Sequence, residues 1–336
     1  MKINRFMIAA PKSGSGKTMI TCALLQLLKD SGKNVLSYKC GPDYIDPMFH
    51  KKVLGVPSKN LDTFFTDEKT TVQLFLDERA DGDFAVLEGV MGLYDGLGGI
   101  YEQGSSYHLA KVTQTPIILV VDAKGMGKSV LALIAGFLQY DTHHLIKGVL
   151  LNRMSKGYYD IIKPLIEKKL SVKVVGYFPE QKDIWLSSRH LGLVMPDELS
   201  DIKKQLNETA DRLKKTIDMD LFMDIAAEAD EIGDSGSADV YNEKNIGNCD
   251  QNEFSQNKAI NTVNIAVAMD EAFCFYYEDN LRMLEKCGAQ LQYFSPLHDT
   301  SLPKDCDAML LGGGYPELYA KELSKNVSML NAIKKA

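Results

Sequence analysis

With 336 residues, 45 % apolar and 25 % charged, the chain has the makeup of ordinary globular material and the length of about two domains. A formal net charge of −7 argues against a general nucleic-acid binder, which needs clustered Lys and Arg to neutralise phosphates. The sequence has no apolar run long enough to span a bilayer, no signal-peptide pattern, and six scattered cysteines (Cys22, Cys40, Cys249, Cys274, Cys287, Cys306) without a C-x-x-C pair, which predicts a reduced cytoplasmic protein, off the membrane, with no disulfide frame or zinc site.

In chain order, short apolar β-branched runs at Ile3–Ala10, Val35–Lys39, Phe84–Glu88, Ile117–Asp122, Ile146–Leu151 and Val172–Phe178 read as buried parallel strands. Stretches between them, such as Thr18–Lys29 and Ser129–Tyr140, have apolar spacing suited to helices. That alternation predicts an α/β fold, a mostly parallel sheet with helices on both faces. Glu198–Ala229 follows as one or two polar helices, closing a first domain over residues 1–229. Residues 230–262 are rich in Gly, Ser, Asn and acidic types with few apolar anchors, so they read as a flexible linker. From residue 263 the pattern restarts with strand "TVNIAVAMD", helix Glu278–Cys287 and strands "QLQYFS" and "DAMLLGGG". The segment 263–336 is short for an α/β domain and is expected to be the first part of one.

The stretch "APKSGSGKT", Ala10–Thr18, leaves a strand and opens a helix, the setting a phosphate-binding loop requires. Lys12, Ser13, Gly14, Ser15, Gly16, Lys17 and Thr18 are the candidate nucleotide-binding residues. Gly14 and Gly16 let backbone N–H groups face phosphates, Lys17 reaches the β/γ-phosphates, and the Thr18 hydroxyl binds Mg²⁺. Pro11 stands where the usual pattern has its first glycine, as in loop variants of the dethiobiotin synthetase and MinD-like superfamily. Lys12 occupies the place of the MinD-like signature lysine, so a MinD/ParA-like switch ATPase is a rival reading.

A phosphate loop needs a carboxylate for its metal, and two strands end in one, Glu88 and Asp122. Sequence leaves both open. The glycine-rich stretch Gly89–Gly96 after Glu88 favours it, while Asp122 has the alternative of capping a strand end or helix start. The loop "KCGPDYIDPMFH" fixes Asp43 and Asp46 in rigid turns near the phosphates, to bind Mg²⁺ and orient a reacting group or else merely to cap those turns.

The segments "SYKCGPDYIDPMFH", "LEGVMGLYDG", "SSRHLGLV" and "MDEAFCFYYEDNL … FSPLHD … LGGGYPELYAKELSKN" resemble the cobyrinic acid a,c-diamide synthase family over nearly the whole chain except the polar linker. The resemblance implies a P-loop synthetase domain followed by a flavodoxin-like class I glutaminase domain, only partly present here. It implies an ATP- and Mg²⁺-dependent carbon–nitrogen ligase of cobalamin biosynthesis that turns acetate side chains of cobyrinate into amides through acyl phosphates, with ammonia from glutamine. Hydrogenobyrinate and nickel-sirohydrochlorin are alternative tetrapyrroles. A homodimer is compatible, and neither nucleic acid nor membrane is an expected partner. Asp43, Asp46, Glu88, Asp95 and Lys17 match catalytic positions. Glu88 and Asp43 are assigned to metal with Thr18, and Asp46 and Asp95 to orientation. Asn152 in "GVLLNRM" is placed to read the adenine edge, with a plain helix cap as its alternative. Lys39, Arg189 and His190 are expected to meet the phosphates or the macrocycle's carboxylates.

A class I glutaminase needs a cysteine thiolate on a sharp strand-to-helix turn among small residues, with a histidine to activate it. None of the six cysteines has that setting, and Cys274, between an alanine and aromatics, reads as packing. In the family the nucleophile and its histidine follow "GGGYPELYA … LSKN", so this chain is expected to be truncated and to depend on free ammonia. Gly312-Gly313-Gly314 resembles the glycine loop of the oxyanion hole.

Overall fold

The computed structural model describes residues 3–77, 84–181, 199–232 and 262–336. The chain divides into two compact units, the first through Ser237 and the second from Ala238.

The first unit is built on a seven-stranded, wholly parallel sheet. Its strands are β1 (Asn4–Ala9), β2 (Val35–Cys40), β3 (Ser58–Leu61), β4 (Phe84–Glu88), β5 (Ile117–Asp122), β6 (Ile146–Asn152) and β7 (Lys173–Phe178), in the order β3-β2-β4-β1-β5-β6-β7. The helices are α1 (Lys17–Asp30), α2 (Ile45–Phe49, continuing as a π turn over His50–Leu54), α3 (Glu68–Asp77), α4 (Ser106–Val112), α5 (Ser129–Tyr140), α6 (Lys156–Leu170), α7 (Leu199–Lys214) and α8 (Met219–Ala227).

Strand β1 shows why the sequence reads as continuous apolar runs. Phe6, Ile8 and Ala10 face a layer formed by α1, α7 and α8, while Met7 and Ala9 face the opposite layer with α3 to α6. A strand covered on both faces has no solvent side on which to place polar residues. Strand β3 escapes such a reading, because its four residues, Ser-Lys-Asn-Leu, form an edge that pairs with β2 alone. Its one strongly apolar member, Leu61, supplies the core contact.

Arg5 is the largest exception to the apolar interior. Its guanidinium is fully buried beside β1 and donates to the carbonyls of Ile3, Thr113, Gln114 and Asp230 and to the Thr115 hydroxyl. One side chain thereby ties the start of the central strand to the turn before β5 and to the segment after α8.

The second unit carries a parallel three-stranded sheet in the order β10-β8-β11, from β8 (Val263–Ala268), β10 (Ala289–Phe294) and β11 (Ala308–Leu310). An antiparallel pair, β9 (Phe273–Phe275) and β12 (Gly313–Gly314), lies beside helices α9 (Glu278–Lys286), α10 (Ala320–Lys325) and α11 (Val327–Lys335). Its described core is small, formed by Ala266, Ala268, Phe294 and Met329. The predicted strands, helices and α/β class are all found. The predicted linker lies almost wholly outside the described residues.

Replacing Arg5 by Met leaves several buried carbonyls without donors, each costing about 1–3 kcal/mol. Urea unfolding of Arg5→Met is expected to show a loss of roughly 3 kcal/mol or more with the slope unchanged.

Candidate active site

The carboxyl ends of β1, β2, β4 and β6 converge on the loop Pro11–Gly16, which joins β1 to α1. Gly14 and Gly16 adopt left-handed backbone angles, with φ of 75° and 92°. A Cβ at Gly16 would lie 2.3 Å from the Asn152 amide nitrogen, so only glycine fits there. Ser15 turns its hydroxyl back to the Lys12 carbonyl at 2.9 Å, closing the loop on itself, while Lys12, Ser13 and Gly14 stay exposed.

Register decides what lies beneath the loop. Strand pairing sets Lys39 of β2 directly beside Glu88 of β4, and Glu88 beside Ile8 of β1. The Lys39 ammonium lies 2.9 Å from Glu88 Oε1 and 2.5 Å from Asp46 Oδ2, with all three side chains buried. Thr18, one residue into α1, donates its hydroxyl to the same Glu88 Oε1 at 2.7 Å. Burial alone would lower the Lys39 pKa, but Glu88 and Asp46 together raise it, so the cation is held charged. Burial and the neighbouring Glu88 push Asp46 up, with Lys39 opposing them.

Lys17 sits at the loop's mouth, donating to the Met91 carbonyl and, at 3.5 Å, to that of Lys12. Burial, reinforced by Lys39, brings its pKa down to about 8. The glycine-rich segment after β4 therefore lies against the phosphate loop. Leu93 N–H donates to Ala10 O at 2.8 Å, Gly92 N–H donates to Asp95 Oδ2 at 2.9 Å, and a Cβ on Gly92 would come within 2.7 Å of Pro11 O. Asp95 thus shapes the segment that meets Lys17.

The other predicted residues fall in different places. Asp43 is not bonded into the Lys39 cluster. Its Oδ1 accepts from Ile45 N–H at 2.8 Å and Asp46 N–H at 3.3 Å, capping the turn that delivers Asp46. Lys39, expected to meet phosphates or substrate carboxylates, is instead buried and already paired with two carboxylates of the protein. Asn152 gives its amide N–H to Ser15 O at 2.8 Å and accepts from Arg153 N–H at 2.9 Å, so it props the phosphate loop from below rather than facing outward to read a base. Asp122 pairs with Arg153 at 2.7 Å, and Arg153 also donates to Gly14 O at 2.9 Å. Arg189 and His190 lie outside the described residues. In the second unit, Gly312 N–H donates to the Tyr276 hydroxyl at 2.7 Å, and a Cβ at Gly312 would meet the Tyr276 ring at 2.3 Å.

Two further side chains, Arg153 and His50, lie against this site without a local sequence signal. Arg153 follows Asn152 in a left-handed conformation (φ 58°), which no local pattern announces. His50 follows the Asp46-Pro47 turn, and its fully buried ring lies with Nε2 3.7 Å from Glu88 Oε2. Burial pushes the His50 pKa down from its ordinary 6.5 to about 4.

Among the described residues no cage of three or more His, Cys, Asp or Glu side chains is present. Magnesium needs no such cage, since it is usually held through one or two carboxylates, water and substrate phosphates. Thr18 and Glu88 fit that pattern, a hydroxyl and a carboxylate oxygen 2.7 Å apart at the foot of the phosphate loop.

A parallel sheet with this loop, lysine and carboxylate at its carboxyl end defines a phosphate-loop nucleotide-binding protein. Residues 6–194 match the CobQ/CobB/MinD/ParA nucleotide binding domain, and residues 264–336 match the CobB/CobQ-like glutamine amidotransferase domain. The chain is 39 % identical over 328 residues to the cobyrinate a,c-diamide synthase of Clostridium tetani, covering 98 % of this chain and 69 % of that protein. It is 38 % identical over 333 residues to that of Listeria innocua (98 % and 70 % covered) and 38 % identical over 337 residues to that of Thermoplasma acidophilum (100 % and 71 %). The chain belongs to the cobyrinate a,c-diamide synthase family, nucleotide-dependent ligases of the glutamine amidotransferase type. No helix among the described residues is long and apolar enough to cross a membrane.

The His50 shift carries a stability consequence. Between about pH 6.5 and 4 the unfolded chain binds a proton that the folded metal-free protein does not. The His50 contribution is therefore full above pH 6.5 and is lost as pH falls toward 4. Chemical denaturation of wild type and His50→Gln across this range is expected to show the variant's stability falling less steeply, by up to roughly 3 kcal/mol.

Proposed function

We propose that this chain uses ATP to activate acetate side chains of a corrin-type tetrapyrrole and converts them to amides. A carboxylate oxygen of the substrate attacks the γ-phosphorus, forming an acyl phosphate and releasing ADP. Ammonia then adds to the acyl carbon, and phosphate leaves as the C–N bond forms. The observation that carries this reading is the convergence of Thr18 and Lys39 on Glu88 at the foot of a phosphate loop whose lysine, Lys17, meets the Gly89–Gly96 segment.

The first step brings one anion against another, so it needs fixed positive charge where the oxygens meet. Lys17 supplies that charge at the mouth of the loop, and with its pKa near 8 it stays mostly protonated at neutral pH. Thr18 and Glu88 are the residues that would hold magnesium, which when bound withdraws charge from the β- and γ-phosphates. Lys39 balances Glu88 and Asp46, keeping both carboxylates in a buried site. Asp95 holds Gly92 so that the segment beside the phosphates keeps its shape. Asn152 and Arg153 stiffen the phosphate loop through Ser15 O and Gly14 O.

Within this reading, residues 1–229 carry out synthesis and 263–336 belong to the glutaminase side. Free ammonia is the donor proposed for this chain acting alone. Cobyrinate is the substrate favoured by the relatives' names, and the cytoplasm is the compartment proposed for the reaction, because the six cysteines are scattered along the sequence without a C-x-x-C pair.

The test is ADP release with ATP, Mg²⁺ and ammonium, with and without cobyrinate, followed by mass analysis of the corrin. ADP formation tied to cobyrinate, with a product in which OH has been exchanged for NH₂, is the expected result, and Glu88→Gln is expected to reduce the rate at least about 100-fold. Hydrogenobyrinate or nickel-sirohydrochlorin turning over in its place would move the substrate assignment. Corrin-independent ATP hydrolysis without amide would overturn the synthetase reading in favour of a switch ATPase.

A further inference from the structure

His50 lies just beyond the expected catalytic aspartates, at the point where α2 passes into a π turn. Such wide turns re-aim a side chain relative to an ordinary helix. The ring is completely buried, and its two nitrogens face three strands. Nδ1 lies 2.9 Å from the Ser37 hydroxyl on β2 and 3.4 Å from the Ser58 hydroxyl on β3. Nε2 points to the Glu88 carboxylate of β4, 3.7 Å from Oε2. Both Nε2 and Oε2 are buried atoms without a hydrogen-bond partner.

An imidazole is costly to bury unless its polar atoms are used. The two serine hydroxyls fix the ring's orientation, because only Nδ1 can meet them on that side. The tautomer then follows from electrostatics. With the proton on Nδ1, a bare lone pair on Nε2 would face an anionic oxygen inside the buried core. With a serine hydroxyl donating to Nδ1, Nε2 carries the proton and its N–H dipole faces the carboxylate. The second arrangement is attractive and the first repulsive. At 3.7 Å the contact is a charge–dipole attraction, beyond the range of a hydrogen bond.

Glu88 is thereby gripped on two sides. Oε1 takes the Thr18 hydroxyl and the Lys39 ammonium, and Oε2 looks onto the His50 N–H. We propose that His50 is a positioning residue for the divalent cation: its Nε2–H sets the rotation of the Glu88 carboxylate and so tunes the metal affinity of the Thr18–Glu88 site. This rests on the reading above that Thr18 and Glu88 hold magnesium. Groups that orient a metal-binding carboxylate in this way commonly change affinity by 10- to 100-fold when removed.

The experiment uses the full chain and needs no turnover. Mn²⁺ binding is followed by electron paramagnetic resonance in the presence of ATP, and binding of a fluorescent ATP analogue is measured with and without Mg²⁺. His50→Leu keeps bulk without an N–H, and His50→Gln keeps a donor at similar reach. Ser37→Ala removes the hydroxyl that selects the tautomer while leaving the ring. The expected result is a Mn²⁺ half-saturation raised roughly tenfold or more in His50→Leu, with metal-free nucleotide affinity unchanged. His50→Gln recovers most of the loss, and Ser37→Ala shows a smaller shift in the same direction. Should His50→Leu fail to fold, the Ser37→Ala and His50→Gln titrations decide on the same terms. Unchanged Mn²⁺ binding in the variants, with Glu88→Gln abolishing it, would overturn the role of His50 alone. Equal loss of metal-free and metal-bound nucleotide affinity would do so as well, since that marks a purely structural residue. Wild type that binds no Mn²⁺ with ATP would overturn the metal reading itself along with this inference.

Discussion

One buried ammonium, Lys39, holds the carboxyl end of the first unit's sheet together. It joins Glu88 on the neighbouring strand to Asp46 on the α2 turn, and without it two carboxylates would face each other away from water. Breaking such a group by removing one partner costs on the order of 3–5 kcal/mol, although a wholly apolar replacement of the group can be as stable as the original. The same Glu88 oxygen that meets Lys39 also meets Thr18 at the start of the phosphate loop's helix, so the ion pair fixes this carboxylate at the foot of the loop.

The phosphate loop depends on supports from both sides. On one side Asn152 and Arg153, at the end of β6, bond to the Ser15 and Gly14 carbonyls, and Arg153 is itself held by Asp122 at the end of β5. On the other side the Gly89–Gly96 segment lies against the loop's first residues through Leu93 and Gly92. Pro11 fixes its own backbone angle, while the close approach of Gly92 to its carbonyl supplies the tight packing. Preorganisation of this kind matters for phosphoryl transfer, where the protein's contribution is placement and charge rather than covalent chemistry.

The second unit shows the same economy on a smaller scale. Asp270 caps the turn after β8 through Ala272 and Phe273 and reaches Ser295 and Leu297 after β10. Tyr276 joins Ala268 O to Gly312 N–H, and the contact is close enough that position 312 accepts no side chain. Packing against Tyr276 thus accounts for the glycine at position 312.

Much of the first unit was legible in the sequence because its signals are local. Two-sided burial writes strands β1, β4 and β5 as continuous apolar runs, and the loop Ala10–Thr18 announces itself by glycines and a lysine between a strand and a helix. The edge strand β3 carried no such signal, since pairing on one side lets Ser, Lys and Asn form a strand. The sequence also singled out Glu88 at a strand end and Asp43 and Asp46 in a rigid turn, and Asp95 through the family resemblance. Their partners were decided only by the tertiary structure. Register between β2 and β4 turned Lys39 inward onto Glu88, a left-handed residue aimed Arg153 at Gly14, and a π turn buried His50 against the same carboxylate. Each of these depends on geometry between segments tens of residues apart, and no periodicity along a single segment encodes it.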